Sequence, residues 1–124
     1  MTSLSVIVIS LNEGESLRRT VDSLLDSLPH SSEIIVSEII VVDDGSTDQS
    51  TGFLSEGYAG VTLLRPAGRL GVAGTRNFGA SHAKGDVLVF SDAHVAVPPV
   101  GLTHGQEVEY HIFATLAKAQ TKSP

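Results

Sequence analysis

Two stretches of this chain bring together side chains that could do chemistry jointly. Asp92-Ala93-His94 ends the apolar run Val87-Leu88-Val89-Phe90, placing a carboxylate and an imidazole two residues apart where the chain leaves a strand. Both groups ligate divalent cations, and a cation at that point can hold a pyrophosphate. Asp43-Asp44-Gly45-Ser46-Thr47-Asp48 likewise ends Ile39-Ile40-Val41-Val42, and Asn12-Glu13-Gly14 follows the run from Leu4 to Ile9. Carboxylates that converge repel one another unless donors or a cation neutralise them. One kind of site meets both needs: a carboxylate that accepts the ring N–H of a base such as uracil, beside another that holds a metal bridging two phosphates. Arg69 and Arg76, ahead of Asp92 in the chain, can meet those phosphates as charge-assisted donors. Each piece taken singly also reads as an ordinary polar turn or helix cap. Their co-occurrence in this order is what carries weight. His30, His82, His104 and His111 have no partner at an informative spacing and read as surface or structural residues.

These groups need elements to position them. The runs Leu4 to Ile9, Ile39 to Val42, Val61 to Leu64 and Val87 to Phe90 are apolar with little polar alternation, as in strands covered on both faces. Ligands of open α/β sheets sit beyond the carboxyl ends of such strands. Leu17, Val21, Leu24, Leu25 and Leu28 recur at helical spacing, with Arg18, Arg19, Asp22 and Asp26 opposite and Pro29 beyond. A second helix is expected toward Leu54, capped by Ser46, Thr47 or Asp48, with Gly45 allowing the tight turn. A third is expected from about Val72 to Lys84, stopped by Gly85. Gly74 and Gly79 weaken that helix and imply that something packs close to its backbone. The near-duplication Glu33-Ile34-Ile35-Val36 and Glu38-Ile39-Ile40-Val41 has an odd spacing, so a slip between copies would reverse the faces. The strand register there is left open. Beyond His94 the pattern fades: a weak helix is expected from about Glu107 to Ala119, and Ala117 to Pro124 reads as a fraying tail. The fold class is α/β, a mainly parallel open sheet with helices on both faces.

Composition narrows the function. The 124 residues suffice for one core. With no cysteine there are no disulfides, thiolate zinc sites or thiol nucleophiles, which suits a reducing, cytoplasmic setting. A formal charge of -6 and a pI near 5.2 argue against a nucleic-acid or anionic-membrane surface. Leu4 to Ile9 is too short to span a bilayer and lacks a basic leader.

The ordered set of motifs resembles a known family. Ser5-Val6-Ile7-Val8-Ile9-Ser10-Leu11-Asn12-Glu13, Glu38 to Asp48, the Arg69-x-Gly71 to Thr75-Arg76-Asn77-x-Gly79-Ala80 stretch and Gly85 to His94 are similar to family 2 glycosyltransferases of GT-A fold. Leu17-Arg18-Arg19-Thr20-Val21-Asp22-Ser23-Leu24, with Asp-x-His in place of Asp-x-Asp, looks closest to the polypeptide N-acetylgalactosaminyltransferase branch. The resemblance covers about residues 3 to 99, so residues 1–99 are expected to form a Rossmann-like, nucleotide-sugar-binding half. Residues 100–124 form a tail that does not match. The resemblance implies that Ser10, Asn12 and Glu13 line the nucleoside pocket and that Asp44 recognises uracil. It places Arg69 and Gly71 by the diphosphate and sugar of a UDP-sugar donor, with Arg76 supporting them. Asp92 and His94 would hold a divalent metal, manganese by preference and magnesium as the alternative. Family members carry a further acceptor half, so the catalytic base, the acceptor, the sugar and any homo-oligomer stay open. Two other readings compete: a non-catalytic nucleotide-binding or interaction module, and a nucleotidyltransferase-like enzyme. The latter would want a glycine-rich loop after the first strand, for which Ser10 to Gly14 is a poor match.

Overall fold

The apolar runs become neighbouring strands in the computed structural model, which describes residues 2–27, 34–93 and 119–121. Strands β1 (Thr2–Ser10), β2 (Ile34–Asp43), β3 (Val61–Leu64) and β4 (Val87–Asp92) are parallel and lie in the order β3-β2-β1-β4. A short β5 (Ala119–Thr121) pairs antiparallel with β4 at the edge, where the sequence suggested only fraying. The segment expected as a helix from Glu107 lies, up to residue 118, outside the described residues.

Central strands must bury both faces, and β1 does so: Val6, Ile7 and Val8 are fully buried in succession. Leu4, Val6 and Val8, with Ile39, Val41 and Val89, pack against Leu17, Val21 and Leu24 of α1 (Glu15–Ser27) and against Phe53. Ile7, Ile40, Val42, Leu88 and Phe90 point the other way, toward Phe78 and Ala80 of α2 (Gly71–His82). Burying each such side chain contributes about 1.5 to 3 kcal/mol, which is why the strictly apolar runs, rather than alternating ones, take the middle of the sheet. The helical period placed Leu25 on the α1 core face; it is instead 41% exposed, at the margin of the stripe.

Three local features set the geometry of the rim. The register of β1 with β2 passes from Leu4↔Val36 to Ser5↔Glu38, skipping Ser37, so a one-residue bulge absorbs the odd spacing of the duplicated segments in a single ten-residue strand. The helix expected after Asp48 is only a 3-10 turn, Gly52–Glu56, ended by Gly57 at φ +97°. Finally, α2 lies very close to the sheet at one point: a Cβ on Gly79 would stand 2.6 Å from Ile7 Cγ2 and 3.0 Å from Val42 Cγ2. The close approach inferred from the glycines therefore holds at Gly79. At Gly74 the nearest atoms belong to Leu70, directly ahead of the same helix.

The far side of α2 is tied down as well. Glu38 Oε2 accepts hydrogen bonds from Ser5 Oγ (2.7 Å) and from the Lys84 N–H (2.6 Å), while Ser5 Oγ accepts one from the Gly85 N–H (2.8 Å). Gly85 is thus more than a helix stop, since a Cβ there would meet the Ser5 backbone nitrogen at 2.6 Å. No helix among the described residues is long and apolar enough to cross a membrane.

Candidate functional site at the carboxyl rim of the sheet

Strand alternation decides where each rim residue points. Because Ile40 and Val42 face α2, Asp44 also projects to that side. Its buried carboxylate meets the start of α2: Oδ1 accepts from the Leu70 N–H at 2.7 Å, and Oδ2 accepts from the Gly71 N–H at 3.1 Å and from Arg69 Nε at 3.3 Å. An acid at a helix N-terminus satisfies otherwise orphaned N–H groups and complements the helix dipole. Burial by itself pushes the Asp44 carboxyl up; the Leu70 and Gly71 N–H donors and the Arg69 guanidinium outweigh it, and the net shift is downward. Two glycines make this approach feasible. Gly71 sits at φ +76°, and Gly45, at φ +97°, leaves room for the Arg69 side chain, whose Cδ would lie 2.9 Å from a Cβ there.

Asp43 points to the opposite layer, where Oδ1 accepts from the Ser46 N–H at 2.9 Å and Oδ2 lies 3.5 Å from Arg65 Nε. Arg65 also donates through Nη2 to Thr51 Oγ1 at 2.6 Å. Between them opens a cleft of about 290 Å³, lined by Asp43, Ser46, Thr47, Gln49, Thr51 and Arg65 among others. Adjacent acids in the sequence therefore serve two different sides of the sheet.

The turn after β1 and the loop after β2 clasp each other. Asn12, in the left-handed region at φ +53°, donates its backbone N–H to Ser46 Oγ (2.8 Å) and accepts the Thr47 N–H on Oδ1 (2.7 Å). Asp48 Oδ2 accepts the Gly14 N–H at 3.0 Å, and its Oδ1 accepts the Ser50 N–H. Ser46, Thr47 and Asp48, expected as helix caps, are therefore engaged in joining two loops and in a local turn. Glu13 closes its turn by accepting the Ser16 N–H on its carbonyl at 3.1 Å. Ser10 accepts the Asp44 N–H on its carbonyl at 2.9 Å, while its buried hydroxyl has no partner among the described residues.

On β4, Phe90 and then Asp92 share the α2 side. The Arg76 guanidinium lies over the Phe90 ring, 5.6 Å from its centroid. Asp92 is exposed at the strand end, level with Ile9 of β1, just as Ser10 is level with Asp43 of β2. The structure thus gathers Ser10, Asn12, Glu13, Asp44, Arg69, Gly71 and Asp92 on one rim, with Arg76 beside it. Asp44 and Asp92 stand two strand spacings apart and two residues out of level, which puts their backbones about 12 Å apart. His94 lies outside the described residues, as do His30, His104 and His111; His82 caps back onto its own helix through Phe78 O at 2.9 Å. Among the described residues no three His, Asp or Glu groups form a metal shell. The exposed Asp92 oxygens are donors of the kind hard cations such as manganese and magnesium take. Sequence reasoning did not find the Phe90 seat for Arg76 or the Asp43, Arg65 and Thr51 cluster. The one available signal for Phe90 was its two-residue spacing from Asp92, which puts both on one face.

Comparison with known proteins gives the family and the fold. The family described as Glycosyl transferase family 2 matches residues 5–106, a little past the residue-99 limit of the motif resemblance. Polypeptide N-acetylgalactosaminyltransferase 15 of Homo sapiens is 45% identical over 104 residues, 80% of this chain but 16% of the human protein. Polypeptide N-acetylgalactosaminyltransferase 11 of Xenopus tropicalis is 41% identical over 75% of this chain and 16% of its own length. The chain therefore spans about a sixth of these curated relatives. Among solved structures, GalNAc-T7 with UDP, GalNAc and Mn2+ superposes with a TM-score of 0.68 at 27% identity, covering 88% of this chain and 21% of that one. The mannosyltransferase PcManGT from Pyrobaculum calidifontis, in complex with GDP-Man and Mn2+, superposes with a TM-score of 0.67 at 27% identity, covering 77% of this chain and 28% of that one. The α/β architecture read from the sequence is the one these GT-A neighbours share.

Proposed function

This chain belongs to glycosyl transferase family 2, and from that premise we propose that it is the donor-binding portion of a metal-dependent, UDP-sugar-using glycosyltransferase. The observation that carries the reading is the placement of Asp44 and Asp92 on one rim, two strands apart, with Arg69 and Arg76 alongside. A carboxylate has about four acceptor positions. Three on Asp44 are taken by Leu70, Gly71 and Arg69, which leaves one on Oδ1 for the ring N–H of uracil. Ser10, Asn12 and Glu13 border the nucleoside, Asn12 mainly by fixing the loop through Thr47. Arg69 and Gly71 lie by the diphosphate and the sugar, with Arg76 supporting that site. Asp92 and His94 are the residues to hold manganese, or magnesium in its place; PcManGT and GalNAc-T7 both carry Mn2+ in their solved complexes. A divalent cation there would stabilise the charge on the departing nucleoside diphosphate.

Calorimetric titration of UDP with and without manganese tests the proposal. Binding that is strengthened by manganese, and that loses the strengthening in Asp92→Asn, is expected. A folded sample that takes up no UDP in either condition rejects the donor-site reading; an Asp92→Asn variant with unchanged manganese dependence rejects the metal assignment alone. Release of free sugar or transfer to an acceptor separates a working transferase from a module that only binds nucleotide.

A further inference from the structure

We infer that Phe90 is a positioning residue: its ring holds the Arg76 guanidinium one strand repeat short of Asp92, keeping the two charged groups from pairing with each other. The role for that ligand rests on the donor-site reading; the hold itself does not. Arg76 projects from α2 and is exposed, and its guanidinium carbon lies over the Phe90 ring at 5.6 Å. Phe90, 8% exposed, is the last core residue of β4 on that side. The next residue on the same side is Asp92, about 7 Å farther along the strand. Elsewhere on the rim arginines close into ion pairs with carboxylates, Arg69 with Asp44 and Arg65 with Asp43. Among the described residues Arg76 and Asp92 form no such pair, and the ring contact is the interaction recorded for Arg76.

The physics of that contact explains the arrangement. The negative face of an aromatic ring attracts a guanidinium without using up its N–H donors in hydrogen bonds, so those donors stay available for phosphate oxygens. Pairing with Asp92 would do the reverse, filling the donors and neutralising the carboxylate that the proposed cation needs. A ring also narrows the rotamers of a long, exposed side chain before the ligand arrives. Phe90 therefore acts through Arg76, from the border of the core.

Three variants test this. Phe90→Leu keeps an apolar side chain without a ring, Phe90→Tyr keeps the ring, and Phe90→Met is a second ring-free variant should the leucine form not fold. The first readout needs no ligand: the Arg76 Nε–H and Cδ proton resonances should carry a ring-current shift that persists in Phe90→Tyr and disappears in the ring-free variants. The second is UDP affinity in manganese, expected to fall about three-fold without the ring, the scale of one cation–π contact at a partly exposed site. In an Arg76→Gln background, removing the ring should cost no further affinity. An Arg76 ring-current shift that survives loss of the ring, or an equal affinity loss in the Arg76→Gln background, overturns the inference. If the wild type binds no UDP, the donor reading falls, and the resonances alone decide whether Phe90 holds Arg76.

Discussion

Asp44→Asn would remove one charge and almost no volume from the junction of β2 and α2. The amide retains one oxygen, which can still accept the Leu70 N–H. Its NH2 group then faces the Gly71 N–H and Arg69 Nε, donor against donor, where Oδ2 had accepted both. Losing a charge-assisted bond and leaving the part-buried Gly71 N–H opposite a donor, together with the lost charge at the start of α2, gives an expected destabilisation of about 1 to 3 kcal/mol. The Arg69 contact adds little, because that side chain is 63% exposed and its pairing is screened. Urea unfolding at neutral pH should show the loss as a lower midpoint at constant slope. Acid supplies an independent check. Burial alone pushes Asp44 up, but the Leu70, Gly71 and Arg69 donors win, so its folded pKa lies below the unfolded value near 4. The stabilisation is therefore complete above that value and is lost as pH falls through the depressed one. The gap between wild type and Asp44→Asn should be flat from pH 7 to about 5 and should close below about 4. A destabilisation under about 0.5 kcal/mol, or a gap that widens in acid, would refute the account of Asp44 as the anchor of α2.

Further substitutions probe the packing and the loops. Gly79→Ala should cost about 1 to 3 kcal/mol, since its Cβ would press on Ile7 and Val42. Gly85→Ala should cost more, because the obstacle is the Ser5 backbone nitrogen rather than a side chain that can turn away; Gly52→Ala, with nothing within 4 Å, is the neutral control. Chemical denaturation reads all three, and equal losses at Gly52 and Gly85 would undercut the close-approach argument. Asn12→Ala should lose about 1 to 2 kcal/mol through its left-handed backbone and the lost bond to the exposed Thr47 N–H. Asn12→Asp, which keeps the acceptor, should lie close to wild type, and the opposite ranking would rule out the clasp between the two loops.

What could be read from the sequence was whatever depends on near neighbours. The buried face of α1 follows from the helical recurrence of Leu17, Val21 and Leu24, and the strand ends follow from the switch between apolar runs and Asn12, Asp44 or Asp92. Contacts between distant residues left no such mark. Asp44 meets residues 26 and 27 positions later, and Glu38 meets Lys84 across 46. The same limit explains the missing helix after Asp48. Ser46 and Asp48 have the chemistry of caps, but the turn at Asn12 and Gly14 competes for them, and only Gly52–Glu56 coils. The three residues of β5 have no periodicity of their own and become a strand by matching β4.

Strand β2 grips α2 at both of its limits, through Asp44 at the start and Glu38 at the Lys84 N–H beyond its last turn. The twelve residues of α2 rise about 18 Å, and the stretch from Glu38 to Asp44 extends about 20 Å, so helix and strand act as two rods of matched length bolted together at each tip. Such a frame resists sliding. Adding or deleting one residue within α2 would release a bolt or shift the starting point of β4 against β1, displacing Asp92 along the rim, whereas changes to side chains on the outer surface of the helix would leave that spacing untouched.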